Sequence, residues 1–541
     1  MLLFPISNTI RLRCGMENTD KGNGLGYVMI KNVLQMLERS ARERPEKTAF
    51  SDERGAVSYG EAVKIARAIG TGLARTGRRA QAAAVVMEKS REVPSAFFGI
   101  VYSGNFYIPI DPEMPADRIG KIFSTVHPFA VISDGACREK AEAAAKDAPE
   151  PCEVFDFEAL AGTEADEALL QAIRDRAIDT DPVYALFTSG STGIPKGVIC
   201  CHRSVIDYAD WLTETLPIDG STVFGNQTPF YFSMSVLDLY AAIKSGAELH
   251  IIPPKLFAFP AKLLEHMVRA KVNTIYWVPT ALCITANTGV LEKVELPPLR
   301  TILFAGEAMP NRQLNIWRRA LPQAFYANLF GPTEITDIGV YYVVDRDFAD
   351  DEPLPIGKAC DNVDAIILRP DGTGPAAEGE TGELCIRGSF LAMGYYNNPQ
   401  KTAEAFIQNP LNPHYPELVY RTGDLVSVNE RGEMMYHGRR DFQIKHKGNR
   451  IELGEIESAA SAVPGIEMCA CIYDAQKEKI ILFYQGEGVT AQLIRRTMKE
   501  KVPSYMLPNV MTELPVMPRN QNGKIDRKAL KAIYAERSGR G

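Results

Sequence analysis

Between residues 82 and 306, seven short β-favouring runs alternate with stretches of helical periodicity: "AAAVVME", "NFYIPI", "FAVISD", "ALFTSG", "ELHIIP", "TIYWVP" and "TILFAG". Neighbouring parallel strands cannot be joined by a tight turn. They need a crossover of a dozen residues or more, usually a helix. The alternation therefore predicts an α/β architecture with largely parallel sheets. Upstream, 33–42 reads as a helix with Val33, Leu34 and Leu37 on one face. The stretch 61–74 sets Ala62, Ile65, Ala66, Ile69 and Leu73 at helical spacing, a core-facing stripe. From about 351 to 388 the texture changes to short strands and Gly/Pro turns ("LPIG", "AIILRPDGTG", "GELCIRG"), as in a small β-barrel or meander. Further on, "EMCACIYD" and "KIILFYQG" read as paired strands, followed by a helix in "TAQLIRRTMKEKV". A compact α+β domain of about 100 residues fits there. A chain of 541 residues is too long for one core. Residues 1–26, rich in Asn, Gly and Lys, read as a disordered leader, with Met16 or Met29 as alternative starts.

The bulk properties remove several function classes. A formal net charge of -7 argues against nonspecific nucleic-acid binding. No apolar run approaches the roughly 18 residues of a membrane span. The opening "MLLFPIS" lacks the basic and long apolar regions of a signal peptide. The ten cysteines include close pairs at Cys200–Cys201 and Cys469–Cys471, but neither has C-x-x-C spacing. They read as reduced thiols of a cytoplasmic protein. The seven histidines form no H-x-x-x-H cluster, so no zinc site is expected.

The run ending at Phe187 passes into "TSGSTGIPKG". Glycines after a strand let the backbone approach an anion, and adjacent N–H groups form an anion-binding nest. Thr188, Ser189, Ser191 and Thr192 add hydroxyls, and Lys196 adds a point charge suited to phosphate. The spacing is not that of G-x-x-x-x-G-K-[ST], because Gly190, Gly193 and Lys196 stand three apart.

Further stretches follow in order: "NLFGPTE" (328–334), "GELCIRG" with "GYYNNPQKT" from Gly394, "YRTGDL" (420–425), "GRRDFQIKHKGNRIELGEIE" (438–457), and "VPSYMLP" before "NGKIDRKAL" (522–530). With the loop, they resemble the adenylate-forming, or AMP-binding, enzymes over about 33–530. The wording is most similar to freestanding amino-acid adenylation domains and D-alanine–carrier-protein ligases. The resemblance implies a large N-terminal domain over 27–440, with two stacked, mostly parallel α/β subdomains plus a small β-barrel. A small mobile α+β domain over 441–541 would follow, with the hinge at Asp441. It also implies ATP and Mg2+, and activation of a small carboxylic acid as an acyl-adenylate, then transfer to a thiol. Thr188, Ser189, Gly190, Thr192 and Lys196 would line the β- and γ-phosphates. Thr333 would donate to the α-phosphate, and Glu334 would hold the metal. Asn328 would read the adenine edge, Phe330, before Gly331, would stack on its ring, and the backbone around Gly306 and Glu307 would cover its other face. Asp424 and Arg439 would reach the ribose. Lys524 would bridge the substrate carboxylate and the α-phosphate. Hinge rotation would then withdraw Lys524 and bring the region around 445–448 to the thiol tunnel. With no carrier domain following and no condensation domain preceding, the acceptor is expected to be a separate carrier protein, or else CoA. An acid–CoA ligase and a catalytically dead nucleotide-binding regulator are the competing readings.

Phe330 stands where most relatives have tyrosine, and the acid pocket departs from the family more sharply. Amino-acid-activating members carry an aspartate where this chain has Ser233, within "PFYFSMSVLDLY". An ammonium left without a carboxylate in a partly buried pocket is costly. The other matched pocket positions are Met234, Leu237, Thr280, Leu303, Ala305, Leu329, Asp337 and Ile338, with Lys524 at the mouth. Asp337 stands out. It is either a relocated carboxylate for an amine or a group turned away from the pocket.

Overall fold

A computed structural model describes residues 16–18, 27–189, 195–369, 371–372, 374–440, 443–519 and 525–538, with 16–18, 27 and 28 described by backbone alone. Met16–Asn18, inside the expected leader, pairs antiparallel with Tyr27–Met29, so at those three residues strand pairing replaces the expected disorder. The predicted helices form over Leu34–Glu43 and Tyr59–Ala74. The second starts early because Ser58 and Glu61 close a reciprocal capping box at its first turn.

Two large sheets carry the bulk of the molecule. One has seven strands, with Ala82–Val86 parallel to both Phe106–Pro109 and Ala130–Ser133 near its centre. The other has nine, with a parallel centre from Thr48–Asp52 through Phe325–Phe330 and antiparallel strands at its ends. Two helices explain how the sheets join. Val93–Tyr102 is buried at every residue, and Met234–Ser245 is buried from Met234 to Ile243. Helices so largely apolar have no face for water and lie inside, and the one acid buried in the second, Asp238, accepts from Asn226 at 2.7 Å. The first packs on the seven-stranded sheet, the second on the nine-stranded one. Phe98 meets Tyr240 edge-on at 6.2 Å, and the Tyr107 and Tyr240 hydroxyls are 2.9 Å apart.

The expected barrel is an open five-stranded antiparallel sheet over Val363–Leu368, Gly382–Gly388, Leu418–Val428, Phe406–Gln408 and Met434–Arg439. Residues 443–538 build separate apolar clusters of their own. Ile466–Asp474 and Lys479–Gly486 pair antiparallel as read from sequence, and Val510–Glu513 adds a parallel third strand. Before them stands a hairpin, Gln443–His446 with Asn449–Glu452. All nine described cysteines are free thiols. Among the described residues, no helix is long and apolar enough to cross a membrane.

Candidate active site at the strand ends

A cavity of about 250 Å3 opens where strands of both sheets end and the hairpin of 443–452 leans in. Carboxyl ends of strands are the usual ligand crevice of open α/β sheets. Thr188 and Lys196 face each other in register across the two strands that close the glycine-rich loop. Gly190 and Thr192, within that loop, lie outside the described residues, as do Asp441 and Lys524.

Glu334 is the electrostatic centre. It is fully buried. Tyr395 donates to its Oε1 at 2.7 Å and Arg450 to its Oε2 at 2.6 Å. Burial pushes a carboxyl up. Here the charges of Arg450 and Lys196, with the bonds from Arg450 and Tyr395, outweigh burial and hold Glu334 down at about 2. Lys196 lies 4.9 Å over the Tyr395 ring. Burial, with Arg450 nearby, pulls its ammonium below the usual lysine range. Ser189 donates to the Arg450 carbonyl at 2.9 Å. The Thr188 hydroxyl is buried with no hydrogen-bond partner among the described residues. A buried orphan hydroxyl beside two cations suits a phosphate-bearing ligand.

The neighbouring groups suit a nucleoside, but the hairpin stands among them. Asp424 and Arg439 are opposed in register and joined at 2.9 Å, both buried. Lys445 sits 4.7 Å from the Phe330 ring centroid, over the face expected to stack on adenine. The amide nitrogen of Asn328 is taken by the Pro355 carbonyl at 2.8 Å. Gly306 lines the cavity. Glu307 acts through its side chain. Its Oε2 accepts from the Thr280 N–H and hydroxyl at 3.0 and 2.7 Å, and its Oε1 accepts from the Gly448 N–H at 2.8 Å. A Cβ on Gly448 would meet Val278 Cγ1 at 2.5 Å, so only glycine fits that tip as docked. Arg118, which also lines the cavity, pairs with Glu455, and these two buried side chains form a further tie between 443–538 and the rest.

On the acid side, the structure brings Ser233, Met234, Ala305, Asp337 and Ile338 to the cavity. Leu237, Leu303 and Leu329 are core residues behind it, and Thr280 is committed to Glu307. Asp337 is buried, and its Oδ2 accepts from the Tyr208 and Tyr276 hydroxyls at 2.9 and 3.2 Å. Burial raises its carboxyl to about 8 although the hydroxyls of Tyr208, Tyr276 and Ser233 pull downward. Ser233 in turn accepts from Thr333 at 3.2 Å.

The chain reversal at Thr336 places these acids. Thr336 has φ +70° and ψ -56°, and the Asp337 N–H donates to the Ile335 carbonyl at 2.8 Å. That is a γ-turn of the rarer, strained hand, here on a β-branched residue. Gly331 makes room for it: a Cβ there would lie 2.2 Å from the Asp337 carbonyl oxygen.

The parts of Arg450, Tyr395, Tyr208 and Tyr276 were not read from sequence. Arg450 and Tyr395 sit inside quoted motifs, so motif membership was the available signal. Tyr208 and Tyr276 carry none, because each looks like an ordinary core tyrosine.

A strand-end cavity beside a glycine-rich loop, with one ionised buried acid among cations, defines a nucleotide-handling α/β enzyme. The family model described as AMP-binding enzyme matches residues 37–396. One component of the mycosubtilin synthase of Bacillus subtilis is 32% identical over 93% of this chain, which spans 19% of that longer protein. An L-proline–[L-prolyl-carrier protein] ligase of Pseudomonas fluorescens is 31% identical over 93% of this chain and 99% of its own length. The Vibrio cholerae adenylation domain AlmE, solved with glycyl-adenosine-5'-phosphate, is 23% identical with a TM-score of 0.80, covering 95% of this chain and 100% of its own, and shows the shared fold. The chain belongs to the AMP-binding enzyme family, whose members are ATP-dependent adenylate-forming ligases.

Proposed function

We propose that this protein activates a small amino acid with ATP and loads it onto the phosphopantetheine thiol of a separate carrier protein. In the first half-reaction a carboxylate oxygen bonds to the α-phosphorus of ATP, and pyrophosphate departs. In the second, a thiol sulfur bonds to the acyl carbon, and AMP departs. The observation that carries the reading is the Glu334 centre, an acid kept ionised in a dry site by Arg450 and Lys196. Names among the relatives support the acceptor: an L-prolyl-carrier protein ligase, and a D-alanine–D-alanyl carrier protein ligase of Lacticaseibacillus casei.

Catalysis of this kind consists mostly of positioning and charge stabilisation. Thr188, Ser189 and Lys196 would grip the leaving pyrophosphate, Thr333 the α-phosphate, and Asp424 with Arg439 the ribose. Glu334 is a single carboxylate with cations around it. It fits a Mg2+ carried mainly by phosphate oxygens, and it does not fit one held by protein alone. Such an ion would neutralise charge on the phosphates. Tyr395 and Arg450 already bond the two Glu334 oxygens, so withdrawal of the hairpin would free the carboxylate for a metal during adenylation. The unit after residue 440 is then mobile, swinging about Asp441 to exchange Lys524 for the hairpin. The composition, the free thiols and the lack of a membrane-spanning helix among the described residues support a cytoplasmic setting.

ATP–pyrophosphate exchange over amino, hydroxy, keto and fatty acids tests the first half. Loading of holo-carrier protein, with CoA as the rival acceptor, tests the second. Lys524→Ala is expected to lower exchange by about 100-fold or more while ATP still binds. Exchange with no acid at all would refute the reading.

A further inference from the structure

The position of the acid-side carboxyl says where the substrate carries its amine. Ser233 is hydrogen-bonded to Thr333, which ties it to the phosphate end of the cavity. An ammonium on the carbon next to the reacting carboxyl would lie level with Ser233, which is neutral and offers no counter-charge. Asp337 lies one hydroxyl further in. Its Oδ2 is filled by Tyr208 and Tyr276, the Ser233 hydroxyl also bonds the carboxyl, and Ser233 and Asp337 both line the cavity. Asp424, the other carboxylate lining that cavity, is already paired with Arg439. A hydrogen bond spans about 3 Å, while each C–C bond of about 1.5 Å advances an extended chain by somewhat less. The offset from Ser233 to Asp337 therefore corresponds to one or two further carbons. Met234, Ala305 and Ile338 supply the apolar walls.

We infer that Asp337, braced by Tyr208 and Tyr276, is the amine-binding group, and that the substrate is a small amino acid whose amine is on the β- or γ-carbon. This rests on the adenylation reading above and adds to it the substrate class. An arriving ammonium gives Asp337 the counter-ion that the empty cavity lacks, and Tyr208 and Tyr276 are already set to hold the ionised carboxylate. A pocket built around a buried carboxyl that an ammonium can pair with disfavours the analogue without an amine, which cannot form that pair.

The test is ATP–pyrophosphate exchange with glycine, both alanine enantiomers, β-alanine, γ-aminobutyrate, propionate and 3-hydroxypropionate. β-Alanine or γ-aminobutyrate should exceed the α-amino acids by about tenfold or more in kcat/KM, and propionate by about 100-fold. Asp337→Asn should remove about 100-fold for the amine-bearing acid, with the KM for ATP little changed. Ser233→Asp should raise the ratio of α- to β-amino acid by about tenfold or more, and it decides the matter alone if Asp337→Asn does not fold. Preference for an α-amino or amine-free acid overturns the inference and leaves adenylation standing. So does an amine preference unchanged in either variant. Exchange with none of these acids, while other acids succeed, overturns the inference alone; failure with every acid removes the adenylation reading too.

Discussion

Asp337 holds its proton where the unfolded chain would release it. Burial places its carboxyl at about 8, against an ordinary 3.8. Between those values the folded protein binds the proton more tightly than the unfolded chain does. Stability is therefore lost as pH rises through that window. An asparagine accepts the same tyrosine bonds and has no proton to lose. Asp337→Asn should stabilise the ligand-free protein negligibly near pH 4 and by a few kcal/mol, about 1–4, near pH 8. Thermal unfolding at three pH values checks this, and a gain that does not grow with pH contradicts it. A substitution that stabilises the fold while removing activity is the expected mark of a functional site. Sequence showed that Asp337 lies three residues after Glu334, but not which way it faces. The answer depends on positive φ at Thr336, a β-branched residue on which local propensity points the other way. Glu334 was legible because its motif names it. Its partner Arg450 lies 116 residues away in sequence, and no periodicity connects the two.

At the level of elements, the parallel strands and their helices were readable because period-2 and period-3.6 patterns are local. The five-stranded sheet was read less well. Its short strands fix their pairing through long-range register, with shifts between Glu383 and Cys385 and between Leu425 and Val426. The hairpin of 443–452 is the element on which the proposed exchange of states rests. Its tip glycine has φ +77° and packs on Val278. Gly448→Ala strains the turn in either arrangement but puts a methyl group against Val278 only in the docked one, so the docked arrangement suffers more. We expect pyrophosphate exchange within about threefold of wild type, and loss of carrier loading by about 100-fold, since a displacement of 1 Å can cost that much. Equal loss in both assays would show that the hairpin serves both steps.

Over the whole molecule, the unit beyond residue 440 is fastened by Arg118–Glu455, Glu307–Gly448 and Glu334–Arg450. Glu455→Ala leaves Arg118 buried and unpaired only while the unit is docked, a cost of about 3–5 kcal/mol. The variant should shift toward the open form. A larger radius of gyration in solution scattering and faster proteolysis near 440–443 would report it, and unchanged values would show that the remaining ties suffice. The pair at Glu334 has a wider consequence. Arg450 and Lys445 cover Glu334 and Phe330, so on the roles proposed for those groups the chain would act as a ligand of its own site in competition with ATP. The apparent affinity for ATP is then the intrinsic affinity scaled by the fraction of molecules with the hairpin away. By reciprocity, ATP binding would drive the hairpin off by the same factor. Once pyrophosphate and its metal leave, the guanidinium would return to Glu334, and the emptied half of the site would be filled by an internal counter-ion rather than by solvent.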